Sequence, residues 1–217
     1  MLFGSDITTI LYLIPVLLFT VAMHECMHAT VAYKLGDMSQ KLQGRMTLYP
    51  FAHLDPIGFI SILLIGFGWG KPVYVDDSYF KNRSRDNMLV ALAGPLANLG
   101  LAILLTIVLK LMFIFGGMDY LFNLGNMGKI VFTLIQYTII INVTLAVFNM
   151  LPIHPFDGGK IVRHFLPSNL RYKFDNLFSN GTTQIIILIL LIAGAGGIII
   201  SPIVNFLINI LNYILML

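Results

Sequence analysis

A largely apolar run from Ile7 to Tyr33 contains His24-Glu25-Cys26-Met27-His28, an H-E-x-x-H pattern set in a segment long enough to cross a membrane. On a helix, residues four apart share a face, so His24 and His28 would present two imidazoles to one metal ion. Glu25 is turned about 100° from His24, within reach of a water beside that metal. His24 stands roughly 26 Å into the run, near the far side of a hydrocarbon core about 30 Å thick. A carboxylate at that depth costs about 2.5–3.5 kcal/mol on insertion scales, which marks it as functional by default. Pro15 is expected to kink the same helix, its freed carbonyl being satisfied by neighbouring packing.

Composition agrees with a membrane setting. Of the 217 residues, 58% are hydrophobic and 11% charged, with a mean hydropathy of +0.87, whereas a soluble domain carries about 25% charged residues. The fold class is an all-α polytopic membrane protein, and the lipid bilayer is its first partner. The single cysteine, Cys26, excludes an intrachain disulfide, so helix packing and a metal must hold the fold. A net charge of +3 gives no reason to expect nucleic acid. The N-terminus, Met-Leu-Phe-Gly-Ser-Asp, lacks a positive n-region, so the first span is expected to be retained.

Clear spans are expected at Ile7–Leu35, Met88–Phe115 and Lys129–Met150. Thr182–Leu217 is long enough for two more, folded as a hairpin and interrupted by Gly194-Ala195-Gly196-Gly197 and Ser201-Pro202. The expected organisation is one membrane-embedded domain, 1–217, with a catalytic core at about 7–166 and a C-terminal transmembrane hairpin at about 182–217. Gly36–Leu54, punctuated by Gly36, Gly44 and Pro50, reads as extended or hairpin structure. Phe59–Phe67 is too short for a span, so 56–70 is expected to re-enter the membrane or lie at its interface, with a full crossing as the alternative.

Orientation follows from the basic residues. Lys34, Lys41, Arg45, Lys71, Lys81, Arg83 and Arg85 lie between the first and second spans, and Lys160, Arg163, Arg171 and Lys173 follow the third. If both stretches face one compartment, it holds eleven of the thirteen Lys and Arg, and the positive-inside rule makes it cytoplasmic. The N-terminus would then be outside and the metal site near the cytoplasmic face of a multi-pass cell-membrane protein.

Two histidines leave a catalytic zinc in need of a third protein ligand and an open position. Asp157 is the best-placed acid, behind the third span in Asn149-Met150-Leu151-Pro152-Ile153-His154-Pro155-Phe156-Asp157-Gly158-Gly159. Pro152 and Pro155 would end the helix there, and the glycines let the backbone come close to the metal. Asn142 and Asn149, seven apart on one face of the third span, are amides in need of partners, and a substrate backbone could supply one.

The sequence resembles the site-2 protease family of intramembrane zinc metalloproteases, in its minimal form without a PDZ-like or CBS-like domain. The matching pieces, in order across residues 20 to 160, are His24-Glu25-Cys26-Met27-His28, Leu35-Gly36-Asp37, Gly44-Arg45-Met46-Thr47-Leu48-Tyr49-Pro50, His53-Leu54-Asp55-Pro56-Ile57-Gly58, Gly68-Trp69-Gly70-Lys71-Pro72-Val73, Ala93-Gly94-Pro95-Leu96-Ala97-Asn98 and Phe148-Asn149 through Asp157-Gly158-Gly159. The resemblance implies a three-helix catalytic core, one Zn2+ per chain held by His24, His28 and Asp157, and Glu25 as the catalytic base. It also implies a small membrane-associated β or re-entrant segment after the first helix, able to pair with an unwound transmembrane substrate, and a substrate contact from Asn149. Asn142, Gly44 and Thr47 are secondary substrate-binding candidates. Phe156-Asp157-Gly158 stands where the family has Leu-Asp-Gly, and His154 stands where proline is common, adding an alternative ligand or proton carrier.

Each assignment has a plainer competitor. His24, Glu25 and His28 could form a polar patch joining helices, Asp157 could cap the helix that follows it, and His154 could be an ordinary loop histidine. Asn142 reads first as an interhelical hydrogen-bonder. Whole-protein alternatives are a metal transporter, which should spread polar groups along several spans, and a non-catalytic adaptor, which should survive loss of Glu25. Homo-oligomerisation is open at this level.

Overall fold

The computed structural model describes residues 7–65, 68–178 and 180–216. The first apolar run forms α1 (Ile7–Lys34), whose 28 residues make a helix about 42 Å long. Val16, Thr20, His24, His28 and Ala32 are all buried. Their spacing of four puts them on one stripe, so the histidines face the protein interior rather than lipid.

Two short helices follow, α2 (Ser39–Leu42) and α3 (Pro56–Ile65), and then the long α4 (Arg83–Ile114). The start of α4 is fixed reciprocally: Arg85 N donates to Asn82 Oδ1 at 3.1 Å, while Asn82 N donates to Asp86 Oδ2 at 3.0 Å, in the manner of a capping box. The remaining helices are α5 (Gly117–Asn123), α6 (Asn126–Asn149), α7 (Asp157–Phe165), α8 (Ser168–Phe178), α9 (Gly181–Leu190) and α10 (Gly196–Met216).

Among the described residues, four helices are long and apolar enough to cross a membrane: α1, α4, α6 and α10. In the C-terminal block, where the sequence suggests two spans, α9 has ten residues, about 15 Å, and falls short of that length. A π-helical turn over Leu191–Ala195 joins it to α10, and Gly194 within that turn adopts φ 121°, a conformation that ends α-helical geometry at a residue without a Cβ.

The helix α1 packs on α4 and α6, α4 packs on α6 and α7, and α10 lies against α4 and α6. Close approach is possible because Ala22, Ala29, Ala32, Ala91, Ala102 and Ala146 occupy the contacts. Ala102, Leu109, Ile139, Val143 and Leu211 form a buried cluster where α4, α6 and α10 meet. Large apolar side chains such as Leu104, Phe113, Ile199 and Phe206 are exposed, as lipid-facing positions should be.

Between α1 and α4 the expectation of extended or hairpin structure meets a different arrangement. Among the described residues there is no strand, only an isolated antiparallel bridge between Leu54 and Gly70. Side chains take the place of a ladder. Asp37 accepts from Ser39 N at 2.8 Å and from Asp76 N at 2.9 Å, Gln40 Nε2 donates to Tyr74 O at 2.5 Å, and the buried Arg45 guanidinium donates to Ala52 O and Lys71 O. Because Leu54 and Gly70 pair, the segment carrying α3 leaves and returns at one point, and ten-residue α3 is too short to span by itself.

Candidate metal centre and active site

The i,i+4 spacing on α1 brings His24 Nε2 and His28 Nε2 to 3.0 Å from each other. Asp157 Oδ2 lies 3.2 Å from each of them. All three residues are buried, and they are the cluster of metal-ligating type found among the described residues. Asp157 does not cap α7. It is the first residue of the helix, after Phe156 in extended conformation, and no side-chain capping bond forms there.

Close backbone packing delivers Asp157 to this position. A Cβ on Gly158 would lie 2.3 Å from Met150 O and 2.4 Å from Leu151 O, and one on Gly159 would lie 2.7 Å from the Ile153 carbonyl carbon. The start of α7 is therefore pressed against the turn that ends α6, at two positions open only to glycine. On the opposite wall, a Cβ on Gly94 of α4 would come within 2.5 Å of His28 Nε2 and 2.6 Å of His24 Cε1.

The donor set suits a tetrahedral divalent ion. His28 Nδ1 lies 2.7 Å from Val90 O, which can only accept, so Nδ1 carries the proton and Nε2 presents a bare lone pair to the cluster. His24 Nδ1 lies 2.6 Å from Asn98 Oδ1. Ligand bonds of about 2.0–2.1 Å imply ligand-to-ligand edges of about 3.3–3.4 Å in a tetrahedron, close to the 3.0, 3.2 and 3.2 Å found. Three ligand-type atoms this close are placed to share one cation. Lys160 Nζ lies 3.7 Å from Asp157 Oδ1 and sets a positive charge beside the other oxygen of the same carboxylate.

Glu25 lies half-buried beside this cluster, and its Oε2 accepts from Val73 N at 2.9 Å. It faces a cavity of about 1200 Å³. Leu17, Val21, His24 and Glu25 of α1 form one wall, Thr144, Phe148 and Asn149 of α6 a second, and Ile185 and Leu188 of α9 a third, with Trp69, Gly70 and Pro72 beside Glu25. The cavity is mostly apolar, and His24, Glu25, Asn149 and Gln184 are among its polar lining groups.

The remaining candidates separate. Asn149 lines the cavity, with its amide nitrogen donating to Leu145 O at 3.0 Å. Asn142, two turns away on the same face, is fully buried between helices and donates to Thr20 Oγ1 and Thr138 O. Gly44 adopts φ 68° and has nothing within 4 Å of a Cβ position, and Thr47 accepts from Tyr49 N and from His53 Nε2; neither lines the cavity. His154 packs against Phe174 at 5.3 Å, away from the ligand cluster, and burial lowers its pKa. Sequence reasoning assigns Gly94 and Asn98 no role beyond their place in the Ala93–Asn98 piece of the family resemblance; an amide at membrane depth on the second span is the available signal for Asn98.

Comparison with known proteins finds relatives named as zinc metalloproteases. YwhC of Bacillus subtilis (strain 168), provisionally named a zinc metalloprotease, is 37% identical over 203 residues, covering 89% of this chain and 86% of that protein. MJ0611 of Methanocaldococcus jannaschii, named in the same way, is 37% identical over 142 residues, which is 64% of this chain and 63% of its own length. Rip2 of Mycobacterium tuberculosis (strain H37Rv), again so named, is 30% identical over 161 residues, 71% of this chain and 57% of its own. No solved structure matches. The profile of peptidase family M50 spans residues 12–193, taking in His24, Glu25, His28 and Asp157 together, and on that match the chain belongs to peptidase family M50.

Proposed function

We propose that the protein is a zinc-dependent intramembrane endopeptidase of the site-2 protease type, cleaving peptide bonds in or near transmembrane segments of other membrane proteins. The observation that carries this reading is the convergence of His24, His28 and Asp157 at 3.0–3.2 Å, with His24 on the wall of a cavity that also presents Glu25. His24, His28 and Asp157 are the ligands of one zinc ion. When bound, zinc supplies a Lewis acid that polarises the scissile carbonyl and acidifies water.

Glu25 is the general base. It takes a proton from the attacking water and passes it to the leaving amide nitrogen, so one carboxylate serves both halves of the reaction. The Val73 N–H holds one carboxylate oxygen and leaves the other for the proton. The apolar walls admit a transmembrane segment only after it unwinds near the ligands, and Asn149, on the α6 wall, is the group nearest to hand for a freed backbone amide or carbonyl. The candidate ligands His24, His28 and Asp157 meet at one point, and the buried polar groups beyond them are tied to one another by hydrogen bonds, which favours a peptidase over a transporter needing an open polar path across several spans.

The catalytic core is α1, α4 and α6 with the start of α7, within one membrane-embedded domain. The 36–79 stretch, with exposed Tyr49, Phe51, Trp69 and Tyr74, is a membrane-associated re-entrant element on the cytoplasmic side. The basic residues around it support a cytoplasmic metal site and an outside N-terminus. The decisive experiment pairs metal analysis of purified protein with cleavage of a co-expressed single-pass substrate. One zinc per chain with abolished cleavage in Glu25→Gln is expected; continued cleavage would remove Glu25 from the mechanism.

A further inference from the structure

A line of buried hydrogen bonds leaves the metal site through the middle of the bundle. His24 Nδ1 on α1 meets Asn98 Oδ1 on α4 at 2.6 Å, Asn98 Nδ2 donates to Asn142 Oδ1 on α6 at 2.7 Å, and Asn142 Nδ2 donates back to Thr20 Oγ1 on α1 at 3.0 Å. Asn98, Asn142 and Thr20 are each 0% exposed. Polar groups this deep in an apolar bundle are costly unless paired, and these are.

The direction of the whole line is set at its far end. Asn142 Nδ2 also lies 2.8 Å from Thr138 O, and a backbone carbonyl can only accept. That places the Asn142 nitrogen toward Thr138 and its oxygen toward Asn98. Asn98 must then turn its nitrogen to Asn142 and its oxygen to His24. An oxygen facing His24 Nδ1 requires the proton on Nδ1, which leaves Nε2 as a bare donor at the ligand cluster. With Asn98 reversed, two carbonyl oxygens would face each other 2.7 Å apart, and an N–H would demand a lone pair from His24 Nδ1, moving the imidazole proton into the metal position.

We propose that Asn98 is a positioning residue for the metal centre: it fixes the tautomer and ring orientation of His24, and Asn142 fixes Asn98 in turn. The helix packing of α1, α4 and α6 is thereby transmitted to the metal affinity of one ligand. The assignment rests on the zinc-protease reading above for the identity of the ion, but its tautomer argument holds for the empty protein as well.

The test is zinc affinity, measured by competition with a chromophoric chelator on detergent-solubilised full-length protein. Asn98→Leu, close in volume, should raise the zinc Kd by about 10–100-fold, the usual cost of losing a group that orients a metal ligand. Asn98→Asp keeps an acceptor toward His24, and its neutral O–H can donate to Asn142, so it should stay closer to the parent than Asn98→Leu. Asn142→Leu should weaken binding less than Asn98→Leu, and the double Leu variant should be no worse than Asn98→Leu alone, because Asn142 acts through Asn98. An unchanged zinc Kd in Asn98→Leu would overturn the proposal. Nitrogen-15 histidine spectra of the metal-free parent read the same point without a variant: a proton on His24 Nδ1 is expected, and a His24 protonated on Nε2 alone would overturn it. A parent that binds no zinc would sink the function proposed above, and these spectra would still decide the role of Asn98.

Discussion

Gly94 stands so close to His28 that a Cβ on it would lie 2.5 Å from the His28 Nε2 that faces the ligand cluster. The same Cβ would lie 2.7 Å from His24 Nε2, so one methyl group would contact both nitrogens. Gly94→Ala should therefore act on the metal before it acts on the fold. Overpacking a close contact costs about 1–3 kcal/mol, which at these nitrogens corresponds to a loss in zinc affinity of about 5- to 150-fold. Chelator competition reads this directly, and parent-like affinity in Gly94→Ala would mean that α4 moves away freely.

Asp157→Asn removes the proposed anionic ligand and keeps the shape. Two imidazoles and a neutral amide are a poorer set for a divalent cation than two imidazoles and a carboxylate, so the purified variant should carry substoichiometric zinc and no proteolytic activity. His154 is the residue that could contradict this, but it packs on Phe174 of α8 rather than toward the cluster. Full zinc in Asp157→Asn, lost on adding His154→Ala, would establish His154 as a ligand.

What the sequence disclosed follows the range of the interactions concerned. The pairing of His24 with His28 is a matter of helical period, and Asp157 stood out because acids beside apolar segments are scarce and its glycine neighbours announced close packing. Asn98 lies 74 residues from its partner His24, and no local pattern records such a contact. The stretch from Gly36 to Leu54 shows a second limit. Its glycines and prolines punctuate it like a hairpin, but Asp37, Gln40 and Arg45 tie it by side-chain-to-backbone bonds that leave no periodic trace. At the C-terminus, length alone suggested two spans in 182–217, whereas the left-handed φ of Gly194 leaves only ten helical residues in α9 before the π-turn. Asn142 and Asn149 share a face as their spacing requires, but two turns of depth separate a buried interhelical amide from one on the cavity wall.

Gly158→Ala sets two effects of opposite sign against each other. Alanine in a helix interior is favoured over glycine by about 0.8–1.0 kcal/mol. Against that, the new Cβ would lie 2.3 and 2.4 Å from two backbone carbonyl oxygens, which cannot rotate aside as a side chain could. The clash wins: α7 must shift away from the end of α6, carrying Asp157 with it. The expected result is lower thermal stability and weaker zinc binding together, and a variant more stable than the parent with unaltered zinc would show that the turn at 150–156 yields without moving Asp157.

Arg45 is tied to the surroundings of Glu25 without being a candidate ligand. Its guanidinium is buried, and it donates to Ala52 O and Lys71 O, one on each side of the Leu54–Gly70 bridge. Lys71 N donates to His53 O at 2.8 Å across the same junction, and two residues later Val73 N holds Glu25 Oε2. A planar fork can bridge two fixed carbonyls at once, whereas a lysine ammonium on a flexible stem is poorly matched to both. Arg45→Lys should therefore keep stoichiometric zinc, because none of His24, His28 and Asp157 lies on these segments. Displacement of the proposed base, Glu25, by as little as 1 Å can cost about 100-fold in rate, so kcat on a single-pass test substrate should fall by about 10- to 100-fold. KM should rise as well, since Gly70 and Pro72 on the displaced segment line the substrate cavity. Zinc analysis beside steady-state kinetics separates the possibilities. Lost zinc in a folded Arg45→Lys would mean that the clamp supports the ligands themselves, and unchanged kcat and KM would mean that Val73 holds Glu25 without help from Arg45.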